Sequence, residues 1–298
     1  MKTDRTSFEE ALEEFSHYLI DSKKSPKTQR AYRRDLIILS EGLSCQEPVR
    51  DWNEVFGHLE SKLKMNENES QNTRNRRLSS LKRFVNFLRK EEYVKNEYHY
   101  TASHVPMDIS RCAIKEEDYF KLLDVLPEKN LSVARTRAMI SLGYWEGLTS
   151  GEVSIIKYED FSRENDCITT LGVESGRKYR ILQVSECTRK ELEAYEPFYH
   201  DLRADRKSQE NLSELKPEEM IFYFKNRFGN RISQRYINKD FVNLLKRASL
   251  NNQLVFSSLR YAYIQRIFKS GASDEDAVQI LGMKNMNNVR ALRKHLCY

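Results

Sequence analysis

Between Thr73 and Lys90 the apolar residues Leu78, Leu81, Phe84, Val85 and Leu88 recur three and four places apart, and every charge around them is basic: Arg74, Arg76, Arg77, Lys82, Arg83, Arg89 and Lys90. That spacing puts the apolar side chains on one face of a helix, which must then be buried against other helices. A solvated helix ordinarily mixes charge signs so that opposite charges meet one turn apart. An all-basic outer face points instead to a polyanion such as DNA. Three more helical stripes precede this one. Phe8, Leu12, Phe15, Tyr18 and Leu19 share a face, and Ser25-Pro26 ends that helix. Pro26 suits the opening turn of the next helix, which runs through Ala31, Tyr32, Leu36 and Leu39. A third helix covers Trp52 to Met65, and Arg30 and Arg34 on the second join the basic surface.

From Tyr98 to Ala113 the helical period lapses around Pro106. Residues 1–100 therefore read as a helical DNA-binding domain, 101–113 as a linker and 114–298 as a second domain. At 298 residues the chain can bury two cores. In the second domain, Glu116, Glu117 and Asp118 suit a helix N-terminus. An apolar-striped helix runs from Ala134 to Glu146 and stops at Gly147. Strand-like runs cover 167–171, 179–184 and 220–224, and helices follow to the end. One of these, Ser233 to Ala248, has Ser233 as its N-cap and turns Ile237, Phe241, Leu244 and Leu245 inward. At its start stand Gln234 and Arg235, side chains suited to adenine and guanine edges in the major groove. The fold class expected is mainly α with a small β-sheet.

Several function classes drop out. No apolar run approaches the roughly 20 residues that cross a bilayer, and the polar N-terminus is no signal peptide. The chain is expected to be cytoplasmic, in a bacterial cell, and on the nucleoid when bound. Cys45, Cys112, Cys167, Cys187 and Cys297 include no Cys-x-x-Cys pair and read as reduced thiols. The six histidines are dispersed, and neither a phosphate-binding loop nor a Gly-x-Ser-x-Gly elbow is present, so no metal and no cofactor is expected. The net charge of +6 fits double-stranded DNA as partner.

The stretch Ser257-Ser258-Leu259-Arg260-Tyr261-Ala262-Tyr263, followed by Ser270-Gly271-Ala272 and Ile280-Leu281-Gly282-Met283, resembles the C-terminal signature of the tyrosine recombinases, the phage integrase and Xer type. That signature reads His-x-Leu-Arg-His, then Leu-Gly-His, then a nucleophilic Tyr nine residues on. The run Gly147-Leu148-Thr149-Ser150-Gly151-Glu152-Val153 is similar to the family's Gly-Leu-Arg-x-Ser-Glu, and Glu174 to Arg180 to its Gly-Lys-Gly-x-Lys-x-Arg hairpin. Thr28, Tyr32, Asp35 and Leu36, with the stretch from Arg77 to Phe84, resemble its helical core-binding domain.

The resemblance implies a core-binding domain and a catalytic-type domain forming a C-shaped clamp on duplex DNA. It also implies roles: two guanidiniums hold the phosphate oxygens, a Lys protonates the departing oxygen and the Tyr attacks. Set against that pattern, only Arg260 persists. Thr149 stands at the first Arg, Ser175 at the Lys, Ser257 and Met283 at the His positions and Leu292 at the Tyr. Tyr298 lies six residues past Leu292, on another helical face. Arg177 and Lys178 are assigned to backbone phosphate, as is Arg260, whose structural alternative is pairing with Glu152 or Asp276. These replacements lead to the expectation of a non-enzyme: a sequence-specific DNA-binding transcriptional repressor of the prophage type, monomeric in solution and open to a protein or peptide antagonist. The alternatives are an active site-specific recombinase with relocated catalytic residues and a non-catalytic accessory subunit of a recombinase.

Overall fold

The computed structural model describes residues 6–65, 69–94, 98–103, 112–127, 130–165, 167–175, 178–208, 221–283 and 285–297. The chain forms two compact units, Met1–Ile109 and Ser110–Tyr298. Most of the stretch read as a linker, 104–111, lies outside the described residues.

The first unit contains α1 (Phe8–Asp21), α2 (Pro26–Leu39), α3 (Trp52–Met65) and α4 (Gln71–Lys90). Its helix starts are local chemistry. Ser7 Oγ accepts the Glu10 N–H while the Glu10 carboxylate accepts the Ser7 N–H at 2.9 Å, satisfying donors that a helix N-terminus leaves open. Ser25 and Ser70 cap α2 and α4 by accepting the Thr28 and Thr73 N–H groups, without the returning carboxylate. The apolar stripes meet as expected, with Phe8, Phe15, Leu36, Phe56, Leu81 and Phe84 buried together. Phe84 takes Phe8 and Phe15 edge-on at 5.6 and 5.3 Å, the arrangement that ring quadrupoles favour.

One polar group sits in this core. Asp35 is fully buried on α2 and accepts the Ser80 hydroxyl of α4 at 2.8 Å. Arg76 reaches it at 2.9 Å, and Arg77 Nε lies 3.9 Å away. Burial pushes its carboxyl above the ordinary range, although Ser80, Arg76 and Arg77 all oppose that shift.

The second unit contains α5 (Glu116–Asp124), α6 (Leu131–Trp145), α7 (Ser150–Val153), α8 (Glu186–Ser208), α9 (Gln234–Arg247), α10 (Phe256–Lys269), α11 (Asp274–Ile280) and α12 (Met286–Cys297). Between α7 and α8 lies an antiparallel sheet in the order β1 (Phe161–Glu164), β2 (Cys167–Ser175), β3 (Lys178–Gln183). Two expectations are corrected here. Of the run at 220–224, Met220 lies outside the described residues and 221–224 is no strand of this sheet: Phe222 makes a single bridge to Lys157, while Tyr223, Phe224 and Lys225 are consecutively buried, which a two-fold alternating strand does not do. The unforeseen β1 takes the third place. In addition, α6 has no solvent stripe, since nearly every residue from Val133 to Tyr144 is buried. It is the central helix of this unit, surrounded on all sides.

Replacing Asp35 by Ala takes a buried acceptor from Ser80 and Arg76 and leaves Arg77 with Glu69 as its carboxylate partner; leaving buried donors unpaired typically costs about 1–3 kcal/mol. Urea unfolding of the intact chain should register that loss in the first unit; a change below about 1 kcal/mol would show that the buried carboxylate is not a structural tie.

Candidate active site and nucleic-acid interface

The motif residues converge around one carboxylate. Thr149 caps the short helix α7: its Oγ1 accepts the Glu152 N–H at 3.2 Å. Glu152 Oε2 in return accepts the Thr149 N–H at 2.8 Å and its hydroxyl at 2.9 Å. The same carboxylate receives Arg180 of β3 at 2.7 Å on Oε1 and faces Arg260 of α10 at 3.3 Å on Oε2. Arg260 also donates to the Gly147 carbonyl at 2.6 Å and to the Leu281 carbonyl at 2.8 Å. The side chains of Glu152, Arg180 and Arg260 are only 6%, 8% and 11% exposed, so water screens these contacts little. Burial alone would raise the Glu152 carboxyl, but the Arg180 hydrogen bond and the charges of Arg260 and Arg180 hold it below the usual carboxylate range. Burial lowers the Arg260 guanidinium, with Glu152 opposing.

Two glycines make this convergence sterically feasible. Gly147 has φ +67°, and a Cβ there would run into the Tyr263 ring. Gly282 has φ +63°, and a Cβ would come within 2.8 Å of the Arg180 guanidinium. Both values lie in the left-handed region that glycine enters without penalty. The Gly-Leu and Leu-Gly elements of the sequence are thus places where a side chain of another segment lies on bare backbone.

The remaining motif positions divide. Ser257 is half-buried in the first turn of α10. Leu292 is buried among Ile264, Phe268, Leu281 and Val289, and Met283 packs against the same cluster. Arg177 and the side chains of Ser175 and Lys178 lie outside the described residues, as does Tyr298. For Arg260 the Glu152 alternative is the one realised; Asp276 instead accepts the Ser273 hydroxyl at 2.7 Å as part of the α11 cap. Arg180 was absent from the residues singled out in the sequence. Its place in the hairpin motif was visible, but its partner lies 28 residues away.

Gln234 and Arg235 occupy the exposed first turn of α9, where Ser233 caps the helix as expected by accepting the Tyr236 N–H at 3.2 Å. Gln234 Nε2 also reaches Ser150 Oγ at 3.4 Å, so the start of α9 sits beside α7 and the Glu152 cluster. In the first unit, Arg30 and Arg34 face solvent and Arg74 is half-buried. Lys82 lies 5.2 Å over the Tyr100 ring and Arg83 5.4 Å over the Tyr18 ring. Arg76 keeps 42% of its side chain exposed while pairing with Asp35. Arg77 departs from the expected DNA-facing role: it is buried and pairs with Glu69. The physical reason is that its carboxylate partners stand outside α4, so the helix read alone has no acid to offer.

Residues 113–295 match the phage integrase family, and residues 12–92 match its N-terminal SAM-like domain. The chain belongs to the phage integrase family. Curated relatives match end to end: tyrosine recombinase XerC of Lactobacillus delbrueckii subsp. bulgaricus is 26% identical over 93% of this chain and 92% of its own. XerC of Thermodesulfovibrio yellowstonii is 24% identical over 92% and 88%. XerD of Oceanobacillus iheyensis is 23% identical over 95% and 92%. Among solved structures, a lambda integrase tetramer bound to a Holliday junction superposes with TM-score 0.71 at 13% identity, covering 99% of this chain and 79% of that one. XerH bound to palindromic difH substrate gives 0.65 at 18% identity, covering 96% and 80%. These superpositions share the integrase fold. The comparisons correct the expectation of a non-enzyme: the relatives that match this integrase-family chain from end to end are named tyrosine recombinases. The repressor expectation has no counterpart among their names.

A neighbouring group carries a pH signature. Glu146, the buried C-cap of α6, accepts the Ser185 N–H at 2.9 Å and the Thr188 hydroxyl at 2.6 Å. Burial pushes its carboxyl up to about 7, against the pull of those bonds and of Arg266. A carboxyl raised on folding stabilises the protein below its unfolded value, about 4.5, and loses that contribution as pH rises through about 7. Glu146→Gln should therefore remove a fall in stability on the order of 3 kcal/mol across that window. Denaturant midpoints of the two proteins at several pH values test this, and parallel pH curves would refute it.

Proposed function

We propose that this protein is a site-specific recombinase that binds duplex DNA and exchanges its strands with catalytic groups displaced from the usual positions. The observation that carries the reading is the end-to-end likeness, in both the SAM-like and the integrase portions, to relatives named tyrosine recombinases.

The site offers supporting chemistry. Phosphoryl transfer through a tyrosine needs positive groups where charge grows on the non-bridging oxygens. With Thr149 at the first Arg position, Arg180 brings a second guanidinium to the Arg260 side of the molecule, from β3 instead of from α7. The surrounding backbone is rigid, since Arg260 is tied to Gly147 and Leu281. With Leu292 in the core, the attacking phenol must come from elsewhere. Tyr261 and Tyr263 follow Arg260 in the sequence of α10, and Tyr298 follows Cys297. Burial and the nearby Glu146 raise the Tyr263 phenol above its ordinary value, against the pull of Arg180, Arg260 and Arg266.

Base reading falls to Gln234 and Arg235, exposed at the start of α9. Backbone anchoring falls to Arg30, Arg34, Arg74, Arg76, Lys82 and Arg83 on the first unit and to Arg177 and Lys178 on the hairpin. Arg235→Ala should relax sequence preference by about 1–3 kcal/mol at one base pair while leaving non-specific binding in place. Selection from a random duplex library tests this, and an unchanged consensus would remove Arg235 from the reading surface.

The decisive experiment recovers duplexes retained by the purified protein, converts them to nicked suicide substrates and separates the products on a denaturing gel. The expected result is a covalent protein–DNA band whose peptide maps to one of these tyrosines and falls by about 10²–10³ in rate with Arg260→Ala. Retained duplexes with no covalent band would overturn strand exchange and leave a protein that only binds.

A further inference from the structure

Ahead of α9 the chain makes a tight turn from Lys225 to Arg231 that the site above does not use. Asn226 builds it. Its side-chain oxygen accepts the N–H groups of Phe228 at 2.9 Å and Asn230 at 3.0 Å. Its carbonyl accepts the Gly229 N–H at 2.8 Å, and Gly229 takes the left-handed φ of +72° that closes the turn. Lys225 and Arg231 bridge across its base. The apex holds Phe228 at 64% exposure, with the Arg227 guanidinium 4.7 Å from its ring. Arg231 lies 4.7 Å over the Phe222 ring.

This surface has one sign of charge. The sequence contains no acid from Ile221 to Lys239. Among the described residues, Arg227, Arg231 and Arg235 are exposed and join no salt bridge, in contrast to Arg77, Arg180 and Arg260, which are held by carboxylates. The turn is also locked to α9. Buried Arg135 donates to the Lys225 carbonyl at 3.0 Å and to the Tyr236 hydroxyl at 2.9 Å, and its guanidinium lies 5.3 Å over the Tyr236 ring. One side chain thus fixes both the base of the turn and the first turn of the helix that carries Gln234 and Arg235.

We propose that the Lys225–Arg231 turn is a second contact of this unit with duplex DNA, in which Arg227 and Arg231 hold backbone phosphates on either side of Phe228 and the Phe228 ring packs on the exposed sugar and base edges between them. The partner follows from the chemistry. An unneutralised cationic surface of this kind is complementary to a phosphate backbone, and an apolar side chain between the cations has the groove edge to cover. Through Arg135, the phosphates gripped by the turn set the register in which α9 meets its bases. Phosphate contacts in general position a protein while base contacts specify.

This inference rests on the DNA-binding reading above and is tested separately from it. Binding of the intact protein to a fluorescent duplex of random sequence is titrated with salt. Each of Arg227→Ala and Arg231→Ala should lower the slope of log affinity against log salt by about one. Phe228→Ala should weaken binding roughly tenfold with no change in slope, since it removes apolar contact and no charge, and Phe228→Trp should restore it. All three sites of change are exposed, and unchanged thermal unfolding verifies the fold. Wild-type binding with unaltered slopes in the Arg227→Ala/Arg231→Ala double variant would overturn the turn as a phosphate grip while leaving the DNA-binding reading intact. Failure of the wild-type protein to bind the duplex would overturn both. Equal losses on single-stranded RNA of the same length would show a general polyanion surface and overturn the duplex contact.

Discussion

The second unit depends on one buried carboxylate. Glu152 accepts from Thr149 within its own turn, from Arg180 on the sheet, and faces Arg260 on α10. Through Arg260 it reaches the backbone at Gly147 and Leu281. Four chain segments are therefore tied through a single side chain. Desolvating that many charges is expensive, and the hydrogen bonds that Glu152 and Arg260 make offset that cost. The consequence is a rigid site. A guanidinium bound to a carbonyl and facing a carboxylate has little freedom to swing, which is the condition under which positive charge can act on a transition state without reorganising.

The same economy of charge runs through the first unit. Asp35 and Glu69 draw Arg77 out of the basic surface of α4 and into the core, while Arg30 and Arg34 stay in solvent. Carboxylates from other segments hold some of the molecule's arginines and leave others in solvent. Arg77, Arg180 and Arg260 are reached and buried as structural ties, whereas Arg227, Arg231 and Arg235 are exposed and join no salt bridge among the described residues.

Much of the helical fold was legible in the sequence because its signals are local. The stripes of α1, α2 and α4 predicted their buried faces, and Ser25-Pro26 and Ser233 marked helix starts because a cap bonds to an N–H three residues on. Other features were not legible. The run 220–224 has strand composition, but Tyr223, Phe224 and Lys225 are buried in succession, a decision made by their neighbours and not by the period of the run. The helix from Leu131 looked one-faced because Arg135, Thr136 and Arg137 interrupt its apolar residues; Arg135 and Thr136 are nonetheless buried and hydrogen-bonded. The motif replacements led to the expectation of a non-enzyme, which the relatives named tyrosine recombinases correct; a position-by-position comparison also misses Arg180, which reaches Glu152 from β3.

By itself the sequence determined the helices, their caps, the family and the glycines on which close approach depends, because each of these is written in residues a few places apart. Only the tertiary structure decided which charges face inward. Arg260 meets Glu152 across 108 residues, and Arg135 joins Lys225 to Tyr236 across 90 and 101. No local pattern encodes such pairs, since the energy of a buried ion depends on the partner that folding brings to it.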